Sequence, residues 1–394
     1  MNHISSLLNK LKRHSVQELP HLIYTNLRYY IFDDLKFLRY RLPFGYAPFP
    51  YTINIKLTNR CNLNCLMCGQ TKSRHSSWQK EELKPHEWIS FIKSIREKKP
   101  FISFWGGEPL VYEGIIDILR SIDELGLKAG IITNGVLLKK YANQLAQLDC
   151  LHCGISLDGP PETHDLVRNK QGVFKELLEG VQMLRQARKD LGKPPLEMGV
   201  IYSTLTPQNQ YQIPELLKTA AQFAPREMYI SYLTFVTKEM ADATNIMMNK
   251  QFGVEYDLDA FNADLSVYDI EHIERMTDWM RSNSGNANFA AQFNPKIPAG
   301  DVRRYYFDTR YAMGRKTCYR PWFVAEILPN GQMHFCPDYP GYRFGDIRTQ
   351  QFKNIWNGKQ ARAFRKFLKM KNLFPMCTRC CGLLTYQPRK ILNQ

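Results

Sequence analysis

The stretch CNLNCLMCGQ, residues 61–70, sets Cys61, Cys65 and Cys68 at C-x3-C-x2-C directly after the strand-like run TINIKLTNR. A structural metal site normally takes four ligands, and this run offers three. Two readings follow. A zinc ion could draw its fourth ligand from elsewhere in the chain. Alternatively, three thiolates hold three irons of a [4Fe–4S] cube and leave the fourth iron open to a small molecule.

The chain has 394 residues, enough for two or three domains with a core each. Its 44% apolar content is that of a globular protein. No apolar run is long enough to suggest a transmembrane helix. The N-terminal MNHISSLLNKLKRHSVQEL has no apolar core and no small-residue cleavage site, so it does not read as a secretory signal, and a cytoplasmic protein is expected. Ten cysteines in such a chain are expected as reduced thiols, hence as metal or cluster ligands and not as disulfides. The net charge of +16 favours solubility and anionic small molecules. No zinc-finger, helix-turn-helix or RNA-binding signature accompanies it, so no nucleic-acid partner is expected.

Residues 1–50 read as a helical appendage ending in the proline-rich PFGYAPFPY, packed on its own chain. From residue 51 to 237 strand-like and helix-like patterns alternate. The strands are TINIKL, FISFWGG, KAGIITNG, CLHCGISLDG, LEMGVIYSTL and EMYISYLTF. Six strands separated by helices imply parallel pairing through crossovers. They are too few for a closed eight-stranded barrel, so the expected fold is α/β with an open, partial (β/α)6 barrel. Chemistry in such folds sits at the C-terminal strand ends. Residues 238–317 read as a connecting or lid segment with one helix, DIEHIERMTDWMRS; residues 318–394 read as a small cysteine-bearing unit.

The motifs at the strand ends complete a pattern. The C-x3-C-x2-C loop, GGEP (Gly106 to Pro109), TNG (Thr133 to Gly135), SLDG (Ser156 to Gly159) and HDLVRNKQGVF follow in order over residues 52–235. Together they resemble the radical S-adenosylmethionine (SAM) superfamily. The resemblance implies a SAM molecule bound through its amino and carboxylate groups to the open iron of a cluster held by Cys61, Cys65 and Cys68. It also implies that the cluster passes one electron to SAM, and that the resulting 5′-deoxyadenosyl radical removes hydrogen from a substrate carbon. A reducing partner such as flavodoxin or ferredoxin is expected with it. Gly106 and Gly107 allow close backbone approach, although GGEP would equally make a tight turn. Glu108 is expected to accept a hydrogen bond from the SAM ammonium. Asn134 and Ser156 are placed to bond its ribose or carboxylate, and Arg168 to pair the carboxylate. Met67 stands where many relatives carry an aromatic residue. Cys150 and Cys153 lie on a strand-like run where positions three apart face opposite ways, so both are expected in the core. Cys150 is expected to share the inner face with His152.

Cys318, Cys336, Cys377, Cys380 and Cys381 follow the spacing C-x12-G-x4-C, a gap, then C-x2-C-C. This resembles the auxiliary-cluster domain of radical SAM enzymes, in its short form (twitch) or as a truncated full form (SPASM). Cys318, Cys336, Cys377 and Cys380 are then the ligands of a second, auxiliary [4Fe–4S] cluster, and a four-cysteine zinc ribbon is the alternative. Cys381 either stands by or replaces Cys380. Such an enzyme is expected to oxidise or epimerise a sugar or cyclitol, or else to modify a ribosomally made peptide. A non-catalytic Fe–S or zinc scaffold is the reading from another class.

Overall fold

Along β1 (Thr52–Thr58) the odd-numbered Ile53, Ile55 and Leu57 are fully buried, while the even-numbered Asn54 and Lys56 are only partly covered. Successive side chains on a strand face opposite ways, so one face of this sheet is greasy and the other polar. The computed structural model describes residues 40, 42–70, 81–194, 198–258, 263–283, 288–371 and 373–385, and the N-terminal segment expected to be helical falls almost wholly outside them.

The expected six strands are present as β1, β2 (Phe101–Gly106), β3 (Lys128–Thr133), β4 (Leu151–Ser156), β5 (Met198–Thr204) and β6 (Glu227–Ser231), paired in parallel in chain order. Between them run α1 (Pro85–Ile95), α2 (Ile115–Glu124), α3 (Leu138–Ala146), α4 (Pro161–Arg168), α5 (Val173–Asp190) and α6 (Ile213–Ala221). Trp88, Ile92, Ile118, Leu119 and Leu145 on these helices are buried in the same core as Ile55, Phe104 and Ile131 of the strands. The opposite face carries polar rows: Glu326, Asn54, Ser103, Gly130 and His152 in register, then Ser156, Tyr202, Tyr229 and Gln292. Polar residues on the inner face of a partial barrel mark a cavity and not a packed lumen.

Two departures from the expected six strands enlarge the sheet to nine. Residues 238–317 hold α7 (Lys238–Phe252), α8 (Ile270–Asn283) and α9 (Val302–Phe307), together with β7 (Ala290–Asn294), which pairs in parallel with β6. The short run AAQFN is flanked by Asn-rich sequence and has only two buried positions, Ala291 and Phe293, too few for its alternation to stand out. On the other side β8 (Val324–Ile327) pairs in parallel with β1, and β9 (Met333–His334) pairs antiparallel with β8. The cysteine-bearing unit is thereby built onto the first barrel strand; α10 (Phe352–Trp356), α11 (Lys359–Lys371) and α12 (Cys381–Thr385) complete it. Cys150 and Cys153 are both buried in the core. Cys150 precedes β4, and its thiol approaches the Leu119 carbonyl of α2 at 3.6 Å, so it does not share the inner face with His152.

Arg365 on α11 fastens this unit. Its guanidinium is fully buried, donates to the carbonyls of Pro321 and Trp356 (both 2.8 Å) and Gly45 (3.3 Å), and stacks 4.1 Å from the Trp356 ring. The planar fork reaches carbonyls from three separate segments, which a lysine ammonium cannot copy. Arg365→Leu leaves those carbonyls without a donor and is expected to cost about 3 kcal/mol or more. Arg365→Lys should recover only part of it. Midpoints of denaturant unfolding measure both; a midpoint unchanged in Arg365→Leu would remove the fastening role.

Candidate functional site

The loop after β1 is held from two sides. On one side Gly107 N–H donates to the Thr58 carbonyl and Glu108 N–H to the Arg60 carbonyl, both at 2.9 Å. A Cβ on Gly107 would lie 2.0 Å from the Arg60 oxygen, so only glycine permits this approach. On the other side Leu66 N–H donates to the Val167 carbonyl (3.0 Å) and Asn169 Nδ2 to the Asn64 carbonyl (3.3 Å) at the end of α4. Cys61, Cys65 and Cys68 are partly buried and line one cavity of about 650 Å³ with Met67, Gly106, Gly107, Glu108, Asn134, Ser156 and Arg168. Pro109 is buried at the start of the turn that follows. Five of the expected positions at the ends of β2, β3 and β4, with Arg168 at the end of α4 and Met67 within the loop, therefore line one cavity with the three cysteines.

Glu108 is turned away from the open space. Its Oε1 accepts from Thr133 Oγ1 (2.8 Å) and Leu110 N–H (3.1 Å), and its Oε2 accepts from Asn134 N–H (2.8 Å). Burial pushes its carboxyl above the usual range against the pull of these three donors. The carboxylate expected to meet a SAM ammonium ties GGEP to TNG. Asn134 in turn donates through Nδ2 to Asn62 Oδ1 (2.9 Å) and lies 3.9 Å from the Cys61 sulfur.

Arg168 is buried and paired with Asp158, and its Nη1 lies 3.8 Å from the Cys65 sulfur. Burial works against its charge, but Asp158 and Cys65 more than hold it in place. Burial pushes the Cys65 thiol up while Arg168 pulls it down. Asp158 accepts from Thr204 N–H at 2.8 Å, so the pair also fixes the end of β5. Asp158 was legible in SLDG as a motif letter only; nothing local announces that it partners an arginine ten residues on. The cavity continues along Tyr202, Thr204, Ser231, Tyr232, Asp264 and Tyr268, which sequence reading did not single out. The available signal was position: Tyr202, Thr204 and Ser231 are inward-facing residues at strand ends.

In the C-terminal unit Cys377 and Cys380 are buried, Cys318 and Cys336 partly so, and Cys381 is exposed. Burial raises the Cys318 thiol to about 11 and those of Cys336 and Cys377 further. Cys336 lies within electrostatic reach of Cys377 and Cys318. Asp338 joins them, unforeseen, with Oδ2 accepting from the Cys381 thiol at 3.6 Å. Among the described residues no helix is long and apolar enough to cross a membrane.

Comparison with known proteins agrees with this geometry. Residues 55–193 match the radical SAM superfamily, and residues 318–381 match the SPASM iron–sulfur cluster-binding domain. The AdoMet-dependent heme synthase of Oleidesulfovibrio alaskensis is 32% identical over 377 residues, covering 85% of this chain and 87% of that protein. The tungsten-containing aldehyde ferredoxin oxidoreductase cofactor-modifying protein of Pyrococcus furiosus is 24% identical over 344 residues, covering 83% of this chain and 86% of that protein. Among solved structures, Streptococcus suis SuiB bound to its precursor peptide SuiA has a TM-score of 0.57 at 18% identity, covering 93% of this chain and 76% of that one. The anSMEcpe complex with AdoMet and the Cp18Cys peptide has a TM-score of 0.55 at 17% identity, covering 86% and 91%. These two show a shared fold. The chain is a radical SAM enzyme: it belongs to the radical SAM superfamily, binds SAM and a [4Fe–4S] cluster, and carries a C-terminal SPASM domain for further iron–sulfur.

Proposed function

We propose that Cys61, Cys65 and Cys68 hold the SAM-binding cluster, that Cys318, Cys336 and Cys377 hold an auxiliary cluster with Cys380 or its neighbour, and that the enzyme oxidises a carbon of a peptide. The observation that carries the reading is the single cavity of about 650 Å³ that joins the first three thiols to the strand ends and to the wall beyond them. When bound, the reduced cluster and SAM supply a radical able to take hydrogen from an unactivated carbon. The chain's own part is to hold and orient. Gly106 and Gly107 bring backbone within reach of the methionyl group. Asn134, Ser156 and Arg168 face it from the ends of β3 and β4 and from α4. Glu108 acts as a positioning residue that keeps the GGEP and TNG turns together.

The far wall supports a peptide. Thr204, Thr206, Gln208 and Ser231 offer neutral donors and acceptors matched to amide groups. SuiB and anSMEcpe, captured with peptides, share the fold over most of this chain. A sugar or cyclitol would also find hydroxyl partners here, but none of the relatives described above is named for one. A second reading is a tetrapyrrole-type cofactor precursor. It rests on the near full-length similarity to a heme synthase and on the faces of Trp105, Tyr202 and Tyr232 along the cavity. Anaerobic protein reconstituted with iron and sulfide, then given SAM, a one-electron reductant and either peptide or porphyrin, separates the two. Substrate-dependent 5′-deoxyadenosine with an oxidised peptide is expected. The same with porphyrin alone would replace the first reading by the second.

Two variants test the roles. Glu108→Gln presents amide hydrogens to one of three donors and should cost about 1–3 kcal/mol. SAM binding should weaken about tenfold with the cluster retained; unchanged SAM affinity would show that the turn holds without the carboxylate. The thiol sets should separate functionally. Cys61→Ala/Cys65→Ala/Cys68→Ala is expected to abolish SAM cleavage while auxiliary iron stays. Cys318→Ala/Cys336→Ala, shown to be folded by circular dichroism, should still form 5′-deoxyadenosine but no oxidised product, because the electron has nowhere to go. Full product from that folded variant would make the auxiliary cluster structural.

A further inference from the structure

The auxiliary site holds one more donor than its cysteines account for, and its geometry bears on how the cluster is closed. Cys336 begins a tight turn in which Tyr339 N–H donates to the Cys336 carbonyl at 3.2 Å. That turn swings Asp338 over the Cys380–Cys381 pair. One carboxylate oxygen of Asp338 and the sulfurs of Cys380 and Cys381 all lie within 4.8 Å of one another. Two donors on one tetrahedral first-row ion sit about 2.0–2.3 Å from it and so roughly 3.3–3.8 Å apart, and the Cys381 sulfur and Asp338 Oδ2 are 3.6 Å apart. The trio therefore has the span of donors gathered around a single metal. Thiolates on different corners of a cube radiate from different irons and stand farther apart, so these three cannot each take a corner. Cys318 and Asp338 both lie within electrostatic reach of Cys336 and of Cys377.

We propose that Asp338 is an alternative iron ligand of the auxiliary cluster, sharing its fourth corner with Cys380 and Cys381. This rests on the placement of that cluster on Cys318, Cys336 and Cys377 given above. The corner is thus exchangeable. Gly382 N–H donates to the Cys380 sulfur at 3.3 Å, and Cys380 N–H to the Cys377 carbonyl at 3.1 Å, which hold Cys380 as the thiolate ligand. Cys381 follows it on the exposed side. Asp338 stands across from both. Whichever donor binds does so deprotonated and releases its proton. A carboxylate is a harder and weaker partner for an iron–sulfur cluster than a thiolate. A carboxylate-held corner opens more readily and, like other non-thiolate ligation, moves the reduction potential upward. The same residues can in this way make a closed electron acceptor or a cluster with one labile iron.

The test reads iron content and electron paramagnetic resonance of the full-length protein, taking the signal that SAM does not perturb as the auxiliary one. Cys380→Ala/Cys381→Ala removes both thiolates at the corner. It should keep the full iron of the auxiliary cluster, with an altered signal and a raised potential. Adding Asp338→Ala should then lose one iron per chain and yield a three-iron signal on oxidation. Asp338→Cys in the double variant should restore the wild-type thiolate signal, and it serves even where the alanine triple fails to fold. If the double variant already lacks that iron, Asp338 is not a ligand. If the triple loses a metal while its cube stays intact, the trio holds a separate ion and the shared corner is overturned. Wild-type protein with no second cluster at all would instead overturn the placement of the cluster.

Discussion

A buried carboxylate organises the strand ends on which the rest depends. Glu108 takes its place because its own N–H reaches the Arg60 carbonyl beyond β1, while its oxygens accept from Thr133 and Asn134 at the end of β3. An ionised carboxylate in such a position is costly unless nearly every lone pair is used. That cost makes the arrangement specific: the turns after β1, β2 and β3 satisfy Glu108 only in one mutual position. The cysteine loop inherits its geometry from that position, since Asn134 also reaches Asn62 and the neighbourhood of Cys61. Asp158 and Arg168 repeat the device on the other side, linking the end of β4 to α4, to β5 and to Cys65. Two buried carboxyl groups thus flank the cysteine loop.

The barrel was readable because its signals are local. The first four strands are short runs closed by glycine or asparagine turns, and the cysteine, GGEP, TNG and SLDG motifs lie within a few residues of their ends. The convergence of Cys61, Gly107, Asn134 and Ser156 follows from parallel order alone, since parallel strands put all their C-terminal ends on one side. The contacts that Glu108 makes with Thr133 and Asn134 were not readable. A motif letter shows that a carboxylate is needed, and only the contacts show whether it faces a ligand or the turn beside it. Strand β7 escaped notice because only two of its residues are buried. Strand β8 escaped because VAEI is buried at all four positions, and an unbroken buried run carries no alternation to read. Asp338 was hidden by its type, an acidic residue beside cysteines in a site expected to be all thiolate.

Strand β8 also changes what the C-terminal unit is. Its parallel pairing with β1, Thr52 opposite Val324 and Ile55 opposite Ile327, makes the SPASM unit continuous with the barrel sheet. Such a unit cannot drift on a linker, so the two sets of thiols keep a constant separation and orientation. The seam is polar and buried. Asn54 Nδ2 donates to Glu326 Oε1 at 3.0 Å, and the Arg320 guanidinium pairs with the same carboxylate. Burial raises the pKa values of Cys318, Cys336 and Asp338, and Arg320 lies close enough for its charge to oppose that rise at each of them. Removing Glu326 would leave Arg320 free to turn its whole charge on the thiols; removing Arg320 would leave Glu326 buried without a counter-ion, at a cost of several kcal/mol. The pair is therefore retained as a unit. It sets a fixed electrostatic background around the C-terminal cysteines from the same residues that attach that unit to the first strand of the barrel.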